Sequence, residues 1–115
     1  MDKIIKAVAS SISPNKTIPE IGLVFVSEKK MLKLNKKYRG KNKITNVLSF
    51  SEGDIIICPE VVKKEAKAYG FTQKYWMTRL AVHGILHLVG YKHSAEKNRL
   101  SMERLENKIL NLLGV

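Results

Sequence analysis

Residues 80–93 read Leu80-Ala81-Val82-His83-Gly84-Ile85-Leu86-His87-Leu88-Val89-Gly90-Tyr91-Lys92-His93. From Leu80 to Val89 the chain is apolar around every side of a helix except at two imidazoles, as expected of a helix buried against the rest of the fold. His83 and His87 lie four residues apart, about 40° around the helix axis, with their rings on one face. Imidazoles on so buried a helix are expected to be buried and to need partners. Gly90 can take the left-handed conformation that ends a helix, letting the chain fold back so that His93 completes a three-nitrogen set. Three neutral imidazoles suit Zn²⁺ or a similar divalent transition metal and leave a fourth position open, which points to catalysis more than to scaffolding. A histidine pair at this spacing also arises by chance, but the third histidine and the intervening glycine make metal binding the stronger reading.

The spacing is also that of the metzincin pattern H-E-x-x-H-x-x-G-x-x-H, with Gly90 at the glycine. Gly84, however, stands where a protease places its general-base glutamate, so peptide hydrolysis by that route loses its proton acceptor. A glycine inside a helix costs about 1 kcal/mol relative to alanine. Its presence suggests close approach by a strand, a ligand or a metal site, and simple helix packing explains it equally well.

Outward from this helix, hydrophobic periodicity assigns the other elements. Ile4, Ile5, Val8 and Ile12 mark an amphipathic helix over 3–12, ended by Ser13-Pro14-Asn15. The β-branched run Ile21–Val26 predicts a buried strand. Ser27 can cap a helix to about Tyr38, with Met31, Leu32 and Leu34 inward. Ile44–Phe50 and Asp54–Cys58 predict two strands joined by Ser51-Glu52-Gly53 as an antiparallel hairpin. Pro59 and Gly70 suit the two ends of a further helix. Helices over 73–89 and 95–113 follow, the last capped by Ser94 and lined by Leu100, Leu105, Ile109 and Leu112. The order predicts an α+β fold, a small mixed sheet of three to four strands covered by about five helices, with a zincin-like three-histidine site.

The chain has 115 residues, of which 44% are hydrophobic and 27% charged, so one domain spanning 1–115 is expected and disorder or a fibrous repeat is not. Its single cysteine, Cys58, cannot form an internal disulfide, and there is no apolar run of the roughly 18 residues needed to cross a bilayer. The charged start, Met1 to Lys6, does not resemble a signal peptide. A cytoplasmic protein without membrane contact is the expectation.

Lys and Arg total 21 against 10 Asp and Glu, a net charge of +11. The field of such a protein draws in polyanions, although general basicity is the plain alternative. The excess is local: residues 1–50 hold 11 basic and 3 acidic groups, while 51–115 hold 10 and 7. Lys29, Lys30, Lys33, Lys36, Lys37, Arg39, Lys41 and Lys43 fall in fifteen residues without an acid. The helical lysines fit a solvated face as well as a phosphate-binding one. Arg39 and Lys41 are expected in the loop after the helix, where a guanidinium can fork onto phosphate oxygens.

The histidine segment, Leu34-Asn35-Lys36-Lys37-Tyr38-Arg39-Gly40-Lys41, Thr45-Asn46-Val47-Leu48-Ser49-Phe50 and Gly53-Asp54-Ile55-Ile56-Ile57-Cys58 together resemble the YbeY family of bacterial metal-dependent endoribonucleases, also called rRNA maturation factors. The four motifs stand in the family's order and cover most of residues 21–113. The resemblance implies one zinc ion per chain held by His83, His87 and His93 at the base of a basic cleft. It also implies Arg39 as a catalytic residue there, RNA as substrate, and the small ribosomal subunit as a partner. The function implied is single-strand-directed cleavage in maturation of the 16S rRNA 3′ end and in ribosome quality control. Lys92 departs from the aspartate common before the third histidine, the link from Phe50 to Gly53 is short, and a first strand of longer relatives is expected to be missing, leaving three strands.

Metal-assisted cleavage of an RNA phosphodiester follows from these assignments, with Arg39 offsetting charge on the phosphorus and Lys37, Lys41 and Lys43 holding the strand. The competing readings are a small zinc metalloprotease-like hydrolase, and a non-catalytic RNA- or ribosome-binding factor whose metal only locks the last helices. Cys58 reads as core more than as a fourth ligand. Trp76 reads as core, Tyr38 and Tyr91 as possible base-stacking groups, and Asp54 as a turn former. Ser49 and Thr45 come near the cleft on the resemblance alone.

Overall fold

The computed structural model describes residues 2–91 and 96–115. The chain runs α1 (Asp2–Ser11), β1 (Gly22–Phe25), α2 (Glu28–Arg39), β2 (Val47–Ser49), β3 (Asp54–Ile57), α3 (Pro59–Tyr69), α4 (Gln73–Val89) and α5 (Glu96–Leu113). The expected elements are present in the expected order, with the strand expected over Ile44–Phe50 reduced to the three residues of β2. The readings placed on Lys92, His93 and Ser94 lie outside the described residues.

β3 is the central strand of a three-stranded sheet ordered β1-β3-β2. It pairs parallel with β1, Gly22 opposite Asp54 and Phe25 opposite Ile57. With β2 it pairs antiparallel, Ser49 opposite Ile55 and Val47 opposite Ile57. The hairpin closes through Phe50 N–H to the Asp54 carbonyl (2.8 Å) and Gly53 N–H to the Phe50 carbonyl (2.9 Å). Gly53 is required there: its φ is 113°, and a Cβ would stand 1.9 Å from the Glu20 carbonyl oxygen.

β3 is apolar on both faces because both are covered. Ile55 and Ile57 enter the main core with Val8 of α1, Val62 of α3, Val82, Ile85 and Leu86 of α4, and Ile109 of α5. On the other face Ile56 packs on a smaller cluster of Met31, Leu48 and Cys58 beneath α2. Cys58 is fully buried, a core thiol as its apolar strand suggested.

α5 buries Ile109 and partly covers Leu105 as expected, but not the other two residues of the expected stripe. Leu100 and Leu112 are exposed, and the inward face is Met102, Glu106, Ile109 and Leu110 with Leu105 and Leu113 partly covered. Residues 102, 106, 109 and 113 recur at helical spacing, whereas 112 falls to the side of that stripe and 100 to the opposite face. α2 starts at Ser27, whose hydroxyl accepts from Lys30 N–H at 3.2 Å. It ends one residue later than expected: Arg39 is its last helical residue rather than a loop residue, and Gly40 takes the left-handed cap at φ 64°. Lys64 of α3 reaches Glu28 at 3.2 Å, and this hydrogen bond lowers the Glu28 pKa from its ordinary value of 4.5.

Candidate active site

α4 crosses the sheet closely because position 84 carries no side chain. A Cβ on Gly84 would stand 2.9 Å from Ser49 Oγ and 3.4 Å from Ile55 Cδ1. Strand and helix packing therefore accounts for this glycine. On β2, Val47 and Ser49 point toward α4 while Leu48 points away into the smaller cluster, the period-two alternation of a strand.

Between α4 and β2 lies a cleft of about 430 Å³ lined by Arg39, Val47, Ser49, Ser51, His83, Gly84, His87 and Leu88. It gathers three residues singled out in the sequence, Arg39, His83 and His87, together with Ser49. Lys37, Lys41 and Lys43 are exposed and stand outside its lining. Asn35, almost fully buried, donates from Nδ2 to the Lys43 carbonyl at 2.8 Å and so staples the basic loop to α2. Thr45 is not part of the cleft wall.

The imidazoles are less buried than their helix suggested: His83 is partly covered and His87 exposed. Both belong to a stripe of Tyr75, Arg79, His83 and His87 at successive intervals of four along α4. His87 Nε2 and His83 Nε2 are 3.0 Å apart, with ring centroids at 4.5 Å. The other nitrogen of His83, Nδ1, meets Oε1 of Glu106 on α5. A carboxylate only accepts, so the proton of this bond sits on Nδ1, and in the neutral ring Nε2 then turns a lone pair toward His87.

Glu106 is 4% exposed, and its second oxygen, Oε2, meets Arg79 Nη2 at 3.4 Å. Arg79 in turn donates to the Tyr75 hydroxyl at 3.1 Å and to Asn107 Oδ1 at 3.2 Å. Neither Glu106 nor Arg79 was picked out from the sequence. The available signal was a lone acid in the apolar stripe of α5, four residues after Met102 and three before Ile109.

Behind His83 a second hollow of about 370 Å³ is lined by Asn46, Trp76, Arg79, Glu106 and others. Its Trp76 packs against the core, stacks on Phe71 at 5.6 Å and donates Nε1 to Glu65 Oε1 at 3.0 Å, which supports the core reading. Asn46 donates to the same oxygen at 2.9 Å, tying the start of β2 to α3. Tyr38 meets Phe50 edge-on at 5.2 Å, and the Tyr91 hydroxyl accepts from Ser13 N–H at 3.4 Å.

The pair of histidines fits a tetrahedral cation. Two nitrogens at zinc–imidazole bond lengths are about 3.3 Å apart, so the observed 3.0 Å asks each ring to yield only a few tenths of an ångström. Among the described residues no group of three His, Cys, Asp or Glu side chains is arranged to hold a metal, and His93 lies outside them.

A three-stranded mixed sheet covered by helices on both faces, with an imidazole-walled cleft along one edge strand, defines an α+β protein. Comparison with known proteins gives that class its family. Residues 1–114 match the family model of endoribonuclease YbeY. Endoribonuclease YbeY of Bartonella henselae is 39% identical over an alignment covering 99% of this chain and 80% of that protein. The Buchnera aphidicola (subsp. Baizongia pistaciae) protein of the same name is 45% identical, covering 80% of this chain and 68% of its own length. The solution structure of TM1509 from Thermotoga maritima superposes with a TM-score of 0.72 at 29% identity, covering 96% of this chain and 76% of that one. The chain belongs to the YbeY endoribonuclease family.

Proposed function

We propose that this chain is a zinc-dependent endoribonuclease of the cytoplasm, cutting single-stranded RNA in maturation of the 16S rRNA 3′ end and in ribosome quality control, in contact with the small ribosomal subunit. The observation that carries the reading is the meeting of His83 Nε2 and His87 Nε2 at 3.0 Å in a cleft that Arg39 also lines, in a chain of this family.

His83 and His87, joined by His93, hold the cation in this reading, and the bound ion supplies Lewis acidity. The chain's own residues do the rest. Arg39 lines the same cleft as the two imidazoles and presents a planar cation to a phosphate, where it offsets the negative charge that builds on phosphorus during cleavage. Ser49 and Ser51 offer hydroxyls along the same wall for phosphate oxygens. Lys37, Lys41 and Lys43 line the approach outside the cleft and hold the flanking backbone by charge alone. Gly84 leaves the protease route without its carboxylate, since that position faces Ser49 and Ile55.

The test pairs metal analysis with cleavage of a single-stranded RNA. Wild type is expected to carry about one zinc per chain and to cut. His87→Ala is expected to lose both metal and cleavage. Arg39→Ala is expected to keep the metal and its fold while turnover falls by roughly 10²–10³, the cost of removing one charge-stabilising group. Full activity in Arg39→Ala refutes its role, and unfolding of the protein on chelation points to a structural metal instead.

A further inference from the structure

The inference rests on the metal-site reading of His83 and His87 and concerns a residue outside the cleft. We infer that Glu106, clamped by Arg79, is the positioning residue of the metal centre: it fixes the tautomer and the ring plane of His83.

Two donors have to be matched by acceptors on the Glu106 side chain. His83 Nδ1 and Arg79 Nη2, one turn apart on α4, approach the same buried side chain of α5, and each brings a proton. A carboxylate has an oxygen for each, Oε1 for the imidazole and Oε2 for the guanidinium. Arg79 is itself oriented by Tyr75 and Asn107, so Glu106 is held from behind as well as from the side. In the neutral ring, with Nδ1–H committed to Oε1, Nε2 of His83 is the unprotonated nitrogen, and it points at His87 Nε2. The opposite tautomer puts a proton where the ligand lone pair has to be. An acid in this outer position is the common support of a metal-binding imidazole, and its loss typically weakens metal binding 10–100-fold.

An amide in place of the acid has a single acceptor. In Glu106→Gln the oxygen goes to Arg79, which has only donors, and the NH₂ group turns to His83 and favours the wrong tautomer. Replacing Arg79 by Met in that background frees the amide oxygen for Nδ1–H. A residue that merely filled space predicts the reverse, because the second substitution removes further contacts.

The experiment has two readouts at one neutral pH. Zinc affinity is measured by competition with a chromophoric chelator, and the His83 tautomer in metal-free protein by long-range ¹⁵N–¹H correlation. Expected results are a roughly 10–100-fold loss of zinc affinity and a rise of the Nε2–H form in Glu106→Gln. Partial recovery of both is expected in the Glu106→Gln/Arg79→Met double variant. Zinc affinity in Glu106→Gln within twofold of wild type, with the tautomer unchanged, overturns the inference. A wild type that binds no zinc overturns the metal-site reading instead, while the tautomer measurement still judges Glu106. If Glu106→Gln does not fold, Arg79→Met alone decides: it keeps the carboxylate but loosens it, and unaltered zinc affinity there overturns the clamp.

Discussion

The two walls of the cleft are held by different means. On the α4 wall, Gly84 lies against Ser49 and Ile55, Ile85 and Leu86 are fully buried, and Glu106 stands behind His83. The opposite wall is the C-terminal end of α2, where Arg39 and the lysines after it are exposed and the Asn35 side chain and the Gly40 cap fix the course of the backbone. The difference follows from what the proposed function asks of each wall. Two nitrogens that share one cation must agree to a few tenths of an ångström, and only a close-packed interior holds side chains that firmly. A cation that draws in a phosphate acts over several ångströms, so it tolerates motion.

The α4 wall breaks first if its packing is disturbed. Gly84→Leu forces a side chain onto Ser49 and Ile55 and is expected to cost about 1–3 kcal/mol by overpacking, read as a lower urea midpoint at unchanged slope. Gly84→Ala sharpens the point. Its helix-propensity gain of about 1 kcal/mol is set against a 2.9 Å contact with Ser49 Oγ, so the single substitution is expected near balance. In a Ser49→Ala background that contact is gone and the gain appears. A Gly84→Leu variant as stable as wild type means that α4 does not press on the sheet, and the contrast between the walls disappears.

The α4 wall was also the more legible of the two in the sequence. An apolar helix with imidazoles four apart fixes their common face by helical geometry alone, and the 3.0 Å meeting of their Nε2 atoms is that geometry realised. The run Ile21–Val26 was misjudged as buried: β1 is an edge strand, with Val24 and Phe25 exposed. Burial of the rings was misjudged, because an apolar helix can still run along the rim of a cleft, and which side stays open depends on where β2 ends. Glu106 was illegible for a related reason: it lies 23 residues from His83, and local periodicity carries no information about which residues of another helix it meets. The α5 stripe was misread through Leu100 and Leu112, whose hydrophobicity outweighed their angular position. Arg39 was legible as a phosphate-binding candidate, but whether it ended the helix or began the loop turned on the Gly40 cap.

The basic wall is expected to respond more weakly. Asn35→Ala removes the bond from Nδ2 to the Lys43 carbonyl, and a single hydrogen bond of this kind contributes about 0.5–1.5 kcal/mol. Amide exchange is expected to speed up over residues 41–43 while α4 amides keep their protection. Equal acceleration in α4 shows that the two walls are one cooperative unit and removes the distinction between them.

The smallest change in stability, and the cleanest separation of charge from structure, comes from Lys37, Lys41 and Lys43 changed together to Gln. All three are exposed, so stability is expected to stay within about 0.5 kcal/mol of wild type. Each phosphate contact on a single strand contributes about 0.7 to the slope of log affinity against log salt. If all three lysines hold phosphates, the slope for a single-stranded RNA flattens by about 2. Lys37 Nζ lies 5.2 Å from the centroid of the Tyr38 ring, which holds its charge near the C-terminal end of α2, whereas Lys41 and Lys43 follow the Gly40 cap. Reverting Lys37 alone in the triple variant therefore asks whether the strand passes along the helix or along the loop. Recovery of about one third of the slope places phosphate at the helix end, and none confines the contact to residues 41–43. An unchanged slope in the triple variant means that the wall's charge serves solubility alone, leaving Arg39 as the cation on that side of the cleft that meets RNA.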